Sequence, residues 1–139
     1  MARDLRASSA EITALAGKVR ERMPQSVAEH HAALKLRVTE LLDGRPAPSD
    51  ADLARELALL ADRSDVSEEL TRLESHIAQL GVLLERSGPV GRQLDFLVQE
   101  FLREANTIGS KCSDAAVAHL VVELKTSIER LREQVQNVE

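Results

Sequence analysis

The sequence predicts an all-α fold, a long antiparallel helical hairpin or coiled-coil-like bundle with two shorter middle helices. Three observations carry this. The chain has 139 residues with an apolar share of 43% but two Phe, no Tyr and no Trp, so its core must be aliphatic; small sandwiches and barrels draw on β-branched and aromatic residues instead. Apolar residues recur at steps of four and three over long stretches, the helical period. Clusters of Gly and Pro punctuate those stretches.

Taken in order, Leu5, Ile12, Leu15, Ala16 and Val19 place a helix over about Asp4–Arg22. Met23-Pro24 marks a boundary or a kink, because Pro lacks a donor and restricts the residue before it. Val27, His31, Leu34, Val38 and Leu41 continue at helical spacing, with His31 expected to be an interface or half-buried histidine. Asp43-Gly44-Arg45-Pro46-Ala47-Pro48 ends that run. Ser49 or Asp50 then suits a cap, followed by Leu53, Leu57 and Leu60. The stripe moves to Val66, Leu70, Leu73, Ile77, Leu80 and Leu84, with Asp65 either capping a fresh helix or lying within a continuous one. Ser87-Gly88-Pro89 closes it. Leu94, Leu97, Phe101 and Ala105 define the next helix, over Val90 to about Asn106. Asn106–Lys111 reads as a connector with a polar, Gly-containing tip. Ser113 or Asp114 caps the last helix. Its stripe, Val117, Val121, Leu124, Ile128, Leu131, Val135 and Val138, steps strictly by four and three. Such a heptad seam requires a long helical partner, and the first segments are the natural antiparallel one. The chain divides into an amino-terminal helical arm, 1–48, and a helical domain, 49–139.

Composition narrows the function. With 18 basic and 23 acidic residues the formal charge is −5, which disfavours a non-specific nucleic-acid coat while leaving room for a local basic patch. Residues 46–89 hold 4 of the basic and 9 of the acidic groups. A single Cys, Cys112, excludes an internal disulfide framework and a four-cysteine zinc site; no evident His or Asp partner accompanies it, so it reads as a small structural side chain. No apolar run reaches a membrane span and no signal segment follows the start. A cytoplasmic protein without a membrane partner is expected.

Two polar regions could carry chemistry. Asp62, Asp65, Glu69, Arg72 and His76 step by three and four and share one face if the helix is continuous. A carboxylate and an imidazole on one face can hold a divalent ion or act as acid and base; the bland reading is a salt-bridged, solvated face. On the next helix Gln99, Arg103 and Asn106 share a face, with Glu100 and Glu104 on another edge. Arg103, Asn106, Ser110 and Lys111 offer charge, an amide and a hydroxyl, with Gly109 giving backbone access, a set suited to phosphate. The bland reading there is a polar interhelical turn. His30 and His31 diverge by about 100° on a helix and form no joint site, and His119 pairs ordinarily with Glu123. The zinc-protease, P-loop, dinucleotide and nucleophile-elbow signatures are absent.

The runs Asp65-Val66-Ser67-Glu68-Glu69-Leu70, Arg72-Leu73, Ser75-His76, Gly88-Pro89-Val90-Gly91-Arg92, Leu94-Asp95-Phe96-Leu97, Gln99-Glu100, Arg103-Glu104-Ala105-Asn106-Thr107-Ile108-Gly109-Ser110-Lys111 and Val121-Val122-Glu123-Leu124-Lys125, with the ending Arg132–Glu139, resemble the carboxy-terminal half of the bacterial YicC-like proteins. The likeness is close from about Leu53 onward and in register over 1–45. It implies a stress-associated endoribonuclease that assembles as a ring-like hexamer, and a longer family chain whose amino-terminal α/β domain is absent here. Leu102 stands where the family commonly has a polar residue, and Phe101 where Met is usual. Carried onto this sequence, the resemblance points to Glu69, His76, Glu100 and Glu104 as catalytic. It points to Asp65, Glu68, Glu69 and His76 as ligands of a divalent ion (Mn or Mg), and to Arg72, Arg103, Asn106, Ser110 and Lys111 as holding RNA phosphate. The expected function is RNA binding or metal-assisted RNA cleavage, with activity dependent on whether the ring can form. The alternative is a non-catalytic helical scaffold that self-associates through its stripes, or an adaptor for an RNA-processing protein.

Overall fold

The computed structural model describes residues 2–46, 49–86 and 88–137. These form five helices: α1 (Ala2–Leu42), α2 (Asp50–Ser64), α3 (Ser67–Glu85), α4 (Gly91–Lys111) and α5 (Ala115–Gln136). The fold is all-α. The middle of the chain holds three helices rather than two, because the stretch after Ser49 breaks at Asp65-Val66. Asp65 itself makes the new start: its Oδ1 accepts from the Ser67 backbone N–H at 2.9 Å and from the Ser67 hydroxyl at 2.6 Å. Ser49 caps α2 by accepting from the Asp52 N–H at 3.1 Å, and Asp114 caps α5 by accepting from the Val117 N–H at 3.1 Å. Each supplies an acceptor to a helix start whose first N–H groups have no partner within the helix.

Pro24 does not end α1, which continues for another 18 residues to Leu42. What Pro24 removes is one bond, from its own missing N–H to the Arg20 carbonyl; the turns on either side keep theirs. The helix stops where Asp43 and Gly44 take positive φ, 43° and 81°, the left-handed conformation that commonly ends helices.

The first half of α1 lies antiparallel to α5. Ser8 Oγ donates to Gln134 Oε1 at 2.9 Å, Arg130 reaches Glu11 at 3.1 Å, and Arg22 reaches Asp114 at 3.0 Å. Helix α4 packs against α5 and α3, and α3 returns to α1, with Arg20 meeting Glu74 at 3.0 Å. Four helices thus close around one core of Leu5, Ile12, Val19, Leu70, Leu73, Phe101, Leu124 and Ile128 with their neighbours. The heptad seam of α5 is buried along its described length, from Val117 to Val135; Val138 lies outside the described residues, as do Ala47, Pro48 and Ser87 of the two punctuating clusters. Among the described residues no helix is long and apolar enough to cross a membrane.

Beyond Ser26 α1 runs past the core, with α2 and the α4–α5 corner beside its Val27–His31 stretch. His31, expected to be an interface or half-buried histidine, is exposed here and borders a cavity. A cavity of about 290 Å³ lies at the junction of α1, α2 and the α4–α5 corner. Cys112 is buried beside it, its Sγ 3.9 Å from Ser26 Oγ and 4.0 Å from Met23 Sδ.

Candidate functional site

Helix α4 runs through Asn106–Lys111 to its last turn, so the expected connector is helical. Gly109 gives no loop backbone; a Cβ there would meet Val121 Cγ1 at 3.2 Å, which identifies Gly109 as the place where α4 approaches α5 closely. Ile108 is buried and continues the core stripe, and that burial holds the last turn in helix. Ser110 Oγ donates to the Thr107 carbonyl at 3.0 Å, a bond within the helix.

With α4 helical to Lys111, residues Glu100, Glu104, Thr107 and Lys111 lie on one face by spacing. Glu69, Arg72 and His76 do the same on α3. The two faces meet in a charged seam. Glu69 and Glu104 are 2% and 3% exposed, so their charges require partners. Lys111 Nζ donates to Glu69 Oε1 at 2.6 Å. Arg72 spans the seam: its Nε donates to Glu104 at 2.9 Å, and its terminal nitrogens reach Glu68 at 2.6 Å and Glu69 at 3.5 Å. Burial pushes the Glu69 carboxyl up, but the Lys111 hydrogen bond and the charges of Lys111 and Arg72 outweigh it, so Glu69 titrates below its ordinary range. The hydrogen bond to Glu104, opposed by burial and helped by the Glu104 and Glu68 charges, raises the Arg72 guanidinium further above its usual value. The Ser67 hydroxyl and N–H hold Asp65 low.

One step along the seam, His76, Glu100 and Glu104 bring one ligand atom each within 4.8 Å of one another. His76 Nε2 lies 3.8 Å from Glu100 Oε2. The imidazole is set against the buried Phe101 ring, centroids 6.5 Å apart and tilted by 55°. His76 Nδ1 and Glu69 Oε2 are buried and have no hydrogen-bond partner among the described residues. An unsatisfied buried polar atom costs about 1–3 kcal/mol, so the His76 ring has an unmet requirement.

Of the residues expected to act, Glu69, Arg72, His76, Glu100, Glu104 and Lys111 therefore come together. His76 is joined by the α4 carboxylates. Asp65 lies between α2 and α3 and is engaged by Ser67, Glu68 sits at the exposed edge on Arg72, and Asp62 is exposed on α2. Arg103, Asn106 and Ser110 form an exposed row on α4 beside the seam. The pairing of Arg72 with Glu104 and of Lys111 with Glu69 could not be read from spacing, since each joins different helices. The one usable signal was the number of carboxylates on the apolar side of α3 and α4.

A set of one imidazole and two carboxylates suits a divalent first-row ion or magnesium, and three protein ligands leave positions open to water or substrate.

Comparison with known proteins shows the family of the chain. Residues 19–139 match the family described as "Endoribonuclease YicC-like, C-terminal". Over 120 residues, 86% of this chain, the sequence is 46% identical to a protein of Clostridioides difficile (strain 630) named "Probable endoribonuclease YicC"; the match covers 41% of that relative. A protein of Haemophilus influenzae with the same name is 49% identical over 85 residues, 61% of this chain and 30% of the relative. The chain thus spans less than half the length of the relatives it matches.

Proposed function

The chain belongs to the YicC-like endoribonuclease family, and from that premise we propose that it acts on RNA, with a divalent ion held by His76, Glu100 and Glu104 assisting hydrolysis of the phosphodiester. The observation that carries the reading is the convergence of these three ligand atoms on two neighbouring helices. Such an ion would neutralise developing charge on the phosphate and lower the pKa of water. The remaining residues have definable tasks. Arg72 anchors Glu104 and so fixes one carboxylate of the set. Lys111 keeps Glu69 ionised within the helix interface. Arg103, Asn106 and Ser110 present an exposed polar row from which RNA phosphate can be bound.

The test is cleavage of a labelled structured RNA with manganese or magnesium, with chelator, and with His76→Ala and Glu100→Gln. Cutting is expected to stop in chelator and to fall by about 100-fold or more in each variant, the scale on which loss of ligand support acts. Manganese binding, read by paramagnetic resonance, should weaken in parallel. Undiminished cutting in chelator or in both variants overturns the reading. A second reading, a helical assembly module, is favoured by Leu36 and Leu41, which protrude from the distal half of α1. It expects no cleavage by this chain at any metal concentration and a mass that rises with concentration.

A further inference from the structure

The seam continues past the His76 cluster toward the α3–α4 turn. There the two helices flank an open groove of about 430 Å³. Gln79, Val82 and Arg86 border it from the α3 side, and Arg92, Gln93 and Phe96 from α4. Resting on the reading above, we propose that this groove is a nucleobase subsite for single-stranded RNA, with Phe96 as the stacking surface.

Four features select this occupant. Phe96 is 56% exposed, whereas the other aromatic of the chain, Phe101, is wholly buried; the exposed ring leaves apolar surface in water, and covering it is favourable. Arg86 and Arg92 give the groove a positive rim, and no carboxylate lines it among the described residues, in a chain whose net charge is −5. That charge complements a phosphate backbone. Gln79 and Gln93 each offer an amide with both donor and acceptor, the chemistry that meets a base edge. Finally, Phe96 lies one helical turn before Glu100, and Gln79 lies three residues after His76, so the groove and the proposed ion site occupy the same two helix faces about one turn apart. A strand whose phosphate reaches His76, Glu100 and Glu104 would lay an adjacent base on Phe96.

Binding of a short fluorescent single-stranded RNA, read by anisotropy with chelator present so that the strand stays intact, tests this. The same strand with one abasic position is the control. Phe96→Ala is expected to weaken binding about tenfold, the size of one lost base stack, and Phe96→Trp to retain it. The Phe96→Ala penalty should shrink on the strand whose abasic position falls at the groove. Arg86→Ala and Arg92→Ala should weaken binding and flatten its salt dependence. Phe96 is exposed, so these variants keep the fold. Unchanged affinity in Phe96→Ala, with wild-type binding intact, overturns the subsite and leaves the cleavage reading standing. A variant that instead converts an oligomer to a monomer at unchanged RNA affinity overturns it too, by showing the groove to be a contact between copies. No RNA binding by the wild-type chain overturns both, whereas binding through Phe96 without cleavage keeps the subsite and removes the nuclease.

Discussion

The two halves of α1 have similar apolar spacing and different fates. Before Pro24, Leu5, Ile12, Leu15 and Val19 are buried between α5 and α3. After it, Leu34 and Val38 of the stripe are half-buried and Leu41 is 71% exposed, with α2 and the α4–α5 corner as the neighbouring elements. Both halves form helix, so periodicity is a statement about local structure. Burial depends on how many other helices reach the stripe. The same contrast separates charged residues. Arg72 and Lys111 hold buried carboxylates in the four-helix part, while His30, His31 and Asp62 in the distal part face water.

The largest way to sharpen this contrast is a truncation in the bundle. Ile128→Ala should cost about 3–4 kcal/mol in urea unfolding, for lost burial and the cavity left behind; a loss under about 1 kcal/mol would mean the α1–α5 seam is loosely packed. Next is Lys111→Met, which leaves the buried Glu69 with Arg72 at 3.5 Å as its remaining cation. A loss of about 3 kcal/mol is expected, with much of it recovered when Glu69→Gln is added. Additive losses in the double variant would break the assignment of the pair.

Acid titration addresses the same groups. Glu69 is held below its ordinary value of 4.5. Asp114 is held below 3.8, by the Arg22 hydrogen bond against burial and with the Val117 N–H and Arg22 charge assisting. Between the folded and unfolded pKa the unfolded chain binds more protons, so stability rises with pH through that window. The contribution is present in full above about pH 5 and is lost as pH falls through the depressed folded values. Equilibrium unfolding from pH 6 down to pH 3 should show that decline, and Lys111→Met should reduce its slope. An unchanged slope would exclude Glu69 as its source.

Pro24→Ala tests the boundary between the halves. Restoring a bond to the Arg20 carbonyl should stabilise α1 by about 1–2 kcal/mol and slow amide exchange around residue 24. Smallest is Leu41→Ala, within about 0.5 kcal/mol of wild type in dilute protein. A loss that appears with rising protein concentration would show that a second copy covers the distal stripe.

Much of the fold was legible in the residues. The α5 heptad and the two Gly–Pro clusters located helix ends and required an antiparallel partner, and Ser49 and Asp114 are caps of the types a helix start prefers. The stop after Asn106 misread a polar composition as a turn. Thr107, Gly109 and Ser110 suit a connector locally, but Ile108 is buried and Gly109 fits against Val121, and packing outweighed propensity. The candidate site was legible as a set of residue types and not as a set of pairs.

From sequence alone came the helical class, the core stripes, the caps and the excess of carboxylates over residues 46–89, because each is a property of neighbouring residues along the chain. Tertiary structure decided that Pro24 is passed through, that the distal half of α1 remains bare on one side, and that His76 faces Glu100 and Glu104 while Arg72 and Lys111 serve the buried glutamates. These outcomes depend on which faces of separate helices meet. Helix packing sets that rotation through many weak contacts along the whole interface, and no spacing within a single helix encodes it.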